Sequence, residues 1–218
     1  LSVDIAGREV HLLPERVLWC PASSTVFIAD AHFGKDAHFR SAGVAIPAGT
    51  TQTDLGRIDG LIESTGARRL VFLGDFLHDV GSRAHETFEA LRSWRRRNAD
   101  LALVLVAGNH DARAGSPPAD LCIEVVREPH FEAPFAWLHH PGEVVGAYAL
   151  AGHVHPGVRL ASSRGRRLSV PIFLVTESLT ILPSFGSFTG LGIVEPRPGS
   201  RVFLCGEDAV VEWRGPAG

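Results

Sequence analysis

The stretch LVLVAGNHDARAG (residues 103–115) decides the fold. It begins as a short apolar run of β-branched residues and leucines. It ends in Asn109, His110 and Asp111, three side chains able to hold a metal or a proton. Two other runs have the same form: TVFIAD (25–30) and RLVFLGD (69–75). Continuous apolar runs of this length, rather than alternating ones, mark strands covered on both faces. Between them lie helical patterns. Residues 50–66 place Leu55, Ile58, Leu61 and Ile62 on one stripe and stop at Gly66. Residues 82–98 align Phe88, Leu91 and Trp94, with arginines in the last turns, where the helix dipole favours cations. The first half therefore reads β-α-β-α-β.

The second half changes character. Strand-like segments at 135–140, 148–155, 166–175, 179–185, 201–206 and 209–214 are separated by Gly and Pro turns. The expected fold is α/β: two mixed sheets packed face to face and flanked by helices, an αββα sandwich in one domain over 1–218.

Composition narrows the class. At 218 residues and 45% apolar content the chain can bury a substantial core. No stretch reaches the roughly 20 apolar residues of a membrane span, and no membrane contact is expected. The first twenty residues lack a basic start followed by an apolar run, so no signal peptide is expected. The sequence holds no Met, so its initiator is expected to be missing. Three widely spaced cysteines, Cys20, Cys122 and Cys205, fit neither a disulfide framework nor a zinc knuckle and point to a reducing cytoplasm. The net charge of −3 excludes a bulk polycation. Lys35 stands alone beside twenty arginines. Two clusters, WRRR (94–97) and SSRGRRL (162–168), are local. The first reads as a helix end facing water. The second follows the histidine-rich segment at 152–155 and has the better claim to a polyanion.

In open α/β sheets, ligand sites gather at the carboxyl ends of strands. Here five such ends deliver Asp30 and His32, then Gly74–Asp75, then Gly108–Asn109–His110, then His139, then His153 and His155. Two carboxylates, one amide oxygen and several imidazoles form a mixed O/N set without thiolate, suited to Mn, Fe, Zn or Ni. Two divalent ions about 3.5–4 Å apart can clamp a phosphate and activate a bridging water, as hydroxide, for in-line attack. One carboxylate must then serve both ions, and Asp75, on the central strand, is the natural candidate.

D-x-H (30–32), G-D (74–75), G-N-H-D (108–111), a lone His139 and G-H-x-H (152–155), in this order, resemble the calcineurin-like binuclear metallophosphoesterase superfamily. LLPERVLWCPASSTVFIADAHFGK, GDFLHD, GNHDARAGSPPADL, LAGHVHPGVRL and LPSFGSFTG resemble, more narrowly, the ligase-associated DNA-damage-response metallophosphoesterases of bacteria, over about residues 8–205. The resemblance implies one metal on Asp30, His32, Asp75 and His155 and a second on Asp75, Asn109, His139 and His153. It implies His110 as the acid that protonates the leaving oxygen. It also implies manganese as the ion and single-stranded DNA as the substrate, cut internally. The family's gene neighbourhood further suggests a DNA ligase, a helicase and an exonuclease as partners. In the phosphoprotein phosphatases of the superfamily the pattern is G-D-x-x-D, and the second Asp orients the acid histidine. Here that position is His78, a second imidazole able to contact the scissile phosphate or the leaving group. The same ligands would also serve a phosphodiesterase for cyclic nucleotides or nucleotide diesters. A metal-free scaffold is disfavoured, because every ligand position is filled.

Outside the motifs, His11, His38, His85 and His130 have no pattern around them, and His140 merely neighbours a ligand position. Asp111 reads as orienting its loop. Lys35 and Arg40 follow the first motif, where a lone cation is more often solvated than bound to phosphate. Phe185 and Phe188 could stack bases, although core packing is the commoner use of such residues.

Overall fold

In the computed structural model, residues 1–161 and 167–214 are described. Seven strands form the first sheet in chain order: β1 (Ser2–Ile5), β2 (Arg8–Leu13), β3 (Val17–Cys20), β4 (Thr25–Ile28), β5 (Arg69–Leu73), β6 (Ala102–Val106) and β7 (Ile123–Val126). The first three are an antiparallel meander, and β4 to β7 run parallel. Helix α1 (Lys35–Ser41) and helix α2 (Thr50–Thr65) join β4 to β5. Helix α3 (His85–Arg97) joins β5 to β6, and α4 (Asn109–Ala114) follows β6 directly.

Alternation along β4, β5 and β6 explains their continuous apolar sequence. Val26, Ile28, Leu70, Phe72, Leu103 and Leu105 face Leu55, Ile58, Leu61, Phe88, Leu91 and Trp94 of α2 and α3. Phe27, Ala29, Val71, Leu73, Val104 and Val106 face the second sheet. The parallel strands are thus apolar on both faces because both are covered.

The second sheet is mixed. Its path runs through β8 (His130–Glu132), β9 (Phe135–Trp137), β10 (Tyr148–Ala151), β13 (Leu179–Ile181), β12 (Arg167–Val175), β11 (Pro156–Ala161) and β14 (Gly192–Ile193). Strands β15 (Arg201–Cys205) and β16 (Val210–Trp213) extend it from β12. Phe135, Trp137, Tyr148, Leu150, Phe173, Leu182 and Phe203 interleave with the inner face of the first sheet to make the core between the sheets. Edge-on ring contacts of Phe27 with Phe135 and Trp137 lie at its centre. The two-sheet sandwich with flanking helices is the fold the sequence implied. The four α-helices of the described residues all lie between Lys35 and Ala114, and α2 and α3 pack on the first sheet.

The sheets meet at one end. Ala29, just past β4, pairs in parallel with Ser184, just past β13. Phe185 N–H donates to Ala29 O (2.8 Å) and Gly186 N–H to Asp30 O (3.2 Å). The carboxyl ends of β4, β5, β6, β9, β10 and β13 therefore open on one place.

Candidate metal centre

Every residue the motifs single out comes to that place. Asp30, Asp75 and His139 are buried, with 0%, 2% and 0% of their surface exposed. Asp30 accepts two bonds from the His153 N–H (2.9 and 3.1 Å). Asp75 accepts one from the His110 N–H (2.9 Å). Buried carboxylates need compensation, and these few N–H groups supply only part of it.

The imidazoles carry the clearest signal. His139 Nδ1–H donates to Leu73 O (3.1 Å), which leaves Nε2 as a lone pair. That Nε2 faces Asn109 Oδ1 at 2.9 Å, His153 Nδ1 at 3.0 Å and Asp75 Oδ1 at 3.5 Å. His155 Nδ1–H donates to Gly190 O (3.1 Å), and its Nε2 faces His32 Nε2 at 3.3 Å and Asp30 Oδ1 at 3.6 Å. His32 Nε2 also lies 3.8 Å from Asp75 Oδ2. Two groups of lone pairs thus converge, and Asp75 touches both. Converging ring nitrogens and carboxylate oxygens repel one another unless a proton or a cation sits among them, and this mixed donor set fits a pair of divalent ions.

The protonation states agree. Burial drives His32 far below the ordinary imidazole range, with Lys35, His155, His78 and His110 adding to it. Burial also lowers His153, helped by His139 and His140. Burial pushes His155 down as well, but Asp30, by hydrogen bond and by charge, and the Gly190 carbonyl together leave it raised. His32 and His153 are therefore held neutral at neutral pH, the form in which an imidazole can ligate a metal.

Backbone and glycines are shaped around the site. Asp30, His32, Asp75, His153 and His155 all have positive φ, between 49° and 70°. Such conformations cost about 1–3 kcal/mol each outside glycine and cluster at functional sites. A Cβ on Gly74 would fall 2.0 Å from His139 Nδ1, and one on Gly108 would fall 2.4 Å from Asp75 Oδ1. The glycines of the G-D and G-N-H motifs are the space into which ligands fit.

His110 and His78 form the outer wall. Their rings stack at 5.0 Å and 19°, and His78 Nδ1 is 3.4 Å from His32 Nδ1. His110 Nδ1–H donates to the main-chain carbonyl of His78. That carbonyl orients His110, the task a carboxylate performs in the G-D-x-x-D pattern. His110 Nε2 is left facing inward, 4.0 Å from Asp75 Oδ2. Burial, then Lys35, His110 and His38, lower His78 to about 4. Asp111 orients its loop: its carboxylate accepts from Leu77 N–H (3.1 Å) and Gly108 N–H (3.0 Å).

Several neighbours carried no signal in the sequence. Glu128 accepts from His139 N–H (2.7 Å), His140 N–H (2.9 Å) and the His140 ring (2.7 Å), and so fixes the exit of β9. Phe39 stacks on His78 at 6.1 Å, and His38 meets the same ring at 5.2 Å. Spacing alone gives no hint of these contacts, because the residues lie far apart in the chain. Arg40 is tied to Asp36 and Glu86. At the end of α3, Arg95 satisfies the carbonyls of Asn98 and Leu101, and Arg97 pairs with Asp59. Of the basic stretch 162–168, residues 162–166 lie outside the described residues, and Arg167 and Leu168 open β12 on the surface. Phe185 is core, with Arg57 4.0 Å from its ring centroid, whereas Phe188 is exposed. No helix of the described residues is long and apolar enough to cross a membrane.

Two sheets opening on a cluster of His and Asp side chains close enough to hold metal ions are the arrangement of a metal-dependent hydrolase. Nuclease MPE of Pseudomonas putida matches with a TM-score of 0.86 and 38% identity, over 97% of this chain and 99% of its own. The chain belongs with it to the metallophosphoesterase superfamily and is a metal-dependent hydrolase. The E. coli phosphoesterase YfcE matches more distantly, at 16% identity and a TM-score of 0.37, over 85% of this chain and 90% of its own. No protein-family model and no curated protein matches the sequence.

Proposed function

We propose that this protein is a manganese-dependent endonuclease for single-stranded DNA, acting in DNA repair in the cytoplasm, with 1–218 as one catalytic unit. The observation that carries the reading is the pair of lone-pair clusters sharing Asp75, with His110 Nε2 facing it at 4.0 Å. Asp30, His32, Asp75 and His155 would hold one ion, and Asp75, Asn109, His139 and His153 would hold the other. When bound, the two ions neutralise the phosphate and make a water nucleophilic at neutral pH.

The remaining chemistry belongs to the chain. Asp75 is fixed by the His110 N–H, so the shared ligand and the acid move as one unit. His110 is doubly protonated when it acts. The His78 carbonyl holds the Nδ1 proton, and Nε2–H points at the leaving oxygen. As the P–O bond breaks, that oxygen takes the Nε2 proton and departs as a hydroxyl. His78, neutral and stacked on His110, contacts the same phosphate. Its ring also closes the side of the site toward α1. Manganese fits the O/N donor set, and a nuclease relative supports a nucleic-acid substrate. The ligase, helicase and exonuclease of the family's gene cluster are the proposed partners.

The test is cleavage of an end-labelled single-stranded oligonucleotide with Mn²⁺, Mg²⁺, Zn²⁺ or EDTA, beside Asp75→Ala. Internal cuts with Mn²⁺ that vanish with EDTA and in the variant are expected. No cuts with any ion, while a bis-nitrophenyl phosphate is still hydrolysed, would move the substrate to small diesters.

A further inference from the structure

Segment 184–190 leaves β13 and crosses the mouth of the metal centre. Both of its ends are tied to candidate ligands: Gly186 N–H donates to Asp30 O, and the His155 ring donates to Gly190 O. Its interior is pinned too. Ser187 donates through its N–H and its hydroxyl to Asp54, which is buried and held by Arg57 at 2.9 Å. Thr189 bonds Gly186 O at 2.8 Å and the Ser184 hydroxyl at 2.7 Å.

Between these fixed points stands Phe188, 42% exposed. It lies outside the buried clusters of the core. Its one ring partner among the described residues is Phe39, edge-on at 5.9 Å and 79°. Phe39 stacks on His78, and His78 on His110. Phe188 is thus the outermost ring of a row that begins at the candidate acid.

Lys35 lines a narrow cleft with His32, Asp54, Gly186, Phe188 and Thr189. It is half-buried, and no carboxylate of the described residues lies within 4 Å of its ammonium. Burial lowers its pKa, and the charges of Asp75 and Asp30 offset only part of this. A half-buried cation without a contact partner is matched to an anion that arrives from outside.

We propose that Phe188 and Lys35 form a subsite for the nucleotide next to the scissile phosphate, with its base stacked on Phe188 and its own phosphate on Lys35. The subsite rests on the DNA reading above. Stacking on a phenyl face is indifferent to sequence, so this subsite favours an unpaired base of any identity over a paired one. Pinning the loop fixes the ring before the strand arrives, which limits the ordering cost of binding.

The experiment is a cycle between protein and substrate. kcat/KM is measured with the Mn²⁺-loaded enzyme on single-stranded oligonucleotides that carry one abasic site, stepped through positions on either side of the cut. Wild type, Phe188→Ala and Phe188→Leu are compared. Phe188→Ala is expected to lose roughly 5- to 150-fold on intact DNA, the range of one base–aromatic stack. One abasic position should cost the wild type the same factor and cost the variant nothing more. Phe188→Leu, which keeps an apolar contact with Phe39 but has no π face, should behave like Ala. Lys35→Met should flatten the dependence of log kcat/KM on log salt by about 0.7, one single-strand phosphate contact. Losses that multiply at every position, or a Leu variant as good as wild type, overturn the subsite while the nuclease reading stands. A wild type that cuts no oligonucleotide overturns both.

Discussion

The two buried carboxylates make a prediction that needs no substrate. Asp30 and Asp75 are almost fully removed from water, and their Oδ1 atoms lie 3.9 and 3.5 Å from the same His139 ring. Main-chain N–H groups offset only part of the lost hydration. Metal binding should therefore be coupled strongly to folding. At a free ion concentration of 100 times its Kd, each ion contributes about 2.7 kcal/mol. For a chain of this length that is about 5–11 °C in Tm per ion. Asp75→Asn is the informative variant. It keeps an acceptor for the His110 N–H but removes the charge that touches both clusters. In Mn²⁺ the variant should lose most of the wild-type gain. In EDTA it should melt at the wild-type temperature or above, because a costly buried charge has gone. The assay is calorimetry or intrinsic Trp fluorescence against temperature, with Mn²⁺ titrated from EDTA. A wild-type Tm indifferent to Mn²⁺, or an Asn variant equally destabilised in both conditions, would refute the argument that these carboxylates exist to hold cations.

Three further outcomes are expected. His110→Ala should lower DNA cleavage by roughly 10²–10⁴-fold, the range of a general acid, and lower hydrolysis of a bis-nitrophenyl phosphate far less, since nitrophenolate leaves without a proton; equal losses on both substrates would remove His110 from that role. Glu128→Gln should destabilise the chelated protein with a defined pH signature. Burial opposes it, but bonds from the His140 ring and from the His140 and His139 N–H groups hold the Glu128 carboxyl below its ordinary value. Its contribution is then present above the unfolded carboxyl pKa, about 4.3, and is lost as pH falls through the lower folded value. The Tm gap between wild type and variant should be full at pH 7 and close below about pH 4, and a gap constant with pH would show that only shape was lost. Among the thiols, Cys20 and Cys205 are buried and Cys122 is exposed. Burial pushes Cys205 up to about 12. A thiol reagent at pH 8 should therefore modify Cys122 alone until the protein is unfolded, as counted by mass spectrometry.

The parallel half of the fold was legible because of its burial. Strands covered on both faces leave unbroken apolar runs, and α2 and α3 leave clean stripes. Helix α3 starts three residues later than its sequence pattern implies. Asp79 and Ser82 exchange bonds there, and Val80–Arg83 winds as a tighter turn before the helix proper. The β1–β3 meander gave no recognisable signal. Its first two strands are half exposed, and their hairpin turns on Ala6 and Gly7, both with positive φ. Asn-Gly or Asp-Gly would have announced that turn, and Ala does not. Helix α1 was missed because it has only seven residues and no apolar stripe.

The meeting of the motif residues at one place was legible too, and for a different reason. Ligands to a shared cation must come from separate strands yet meet within a few ångströms. Each must leave its strand abruptly, which explains the positive φ at Asp30, His32, Asp75, His153 and His155. Where two exits crowd together, one of them must give up its side chain. Gly108 does so for Asp75, and Gly74 for His139. The short motifs are therefore the local trace of a long-range demand: a polar ligand beside a glycine at the end of a buried strand. Contacts that hold the ligands from behind are under no such demand. Glu128 reaches His139 from eleven residues away, and the stack of Phe39 on His78 joins two different loops. Any residue of suitable shape arriving from any direction would serve these roles, so nothing in their local sequence marks them. A chain of this kind shows its candidate ligands in its motifs and the residues that support them only in its packing.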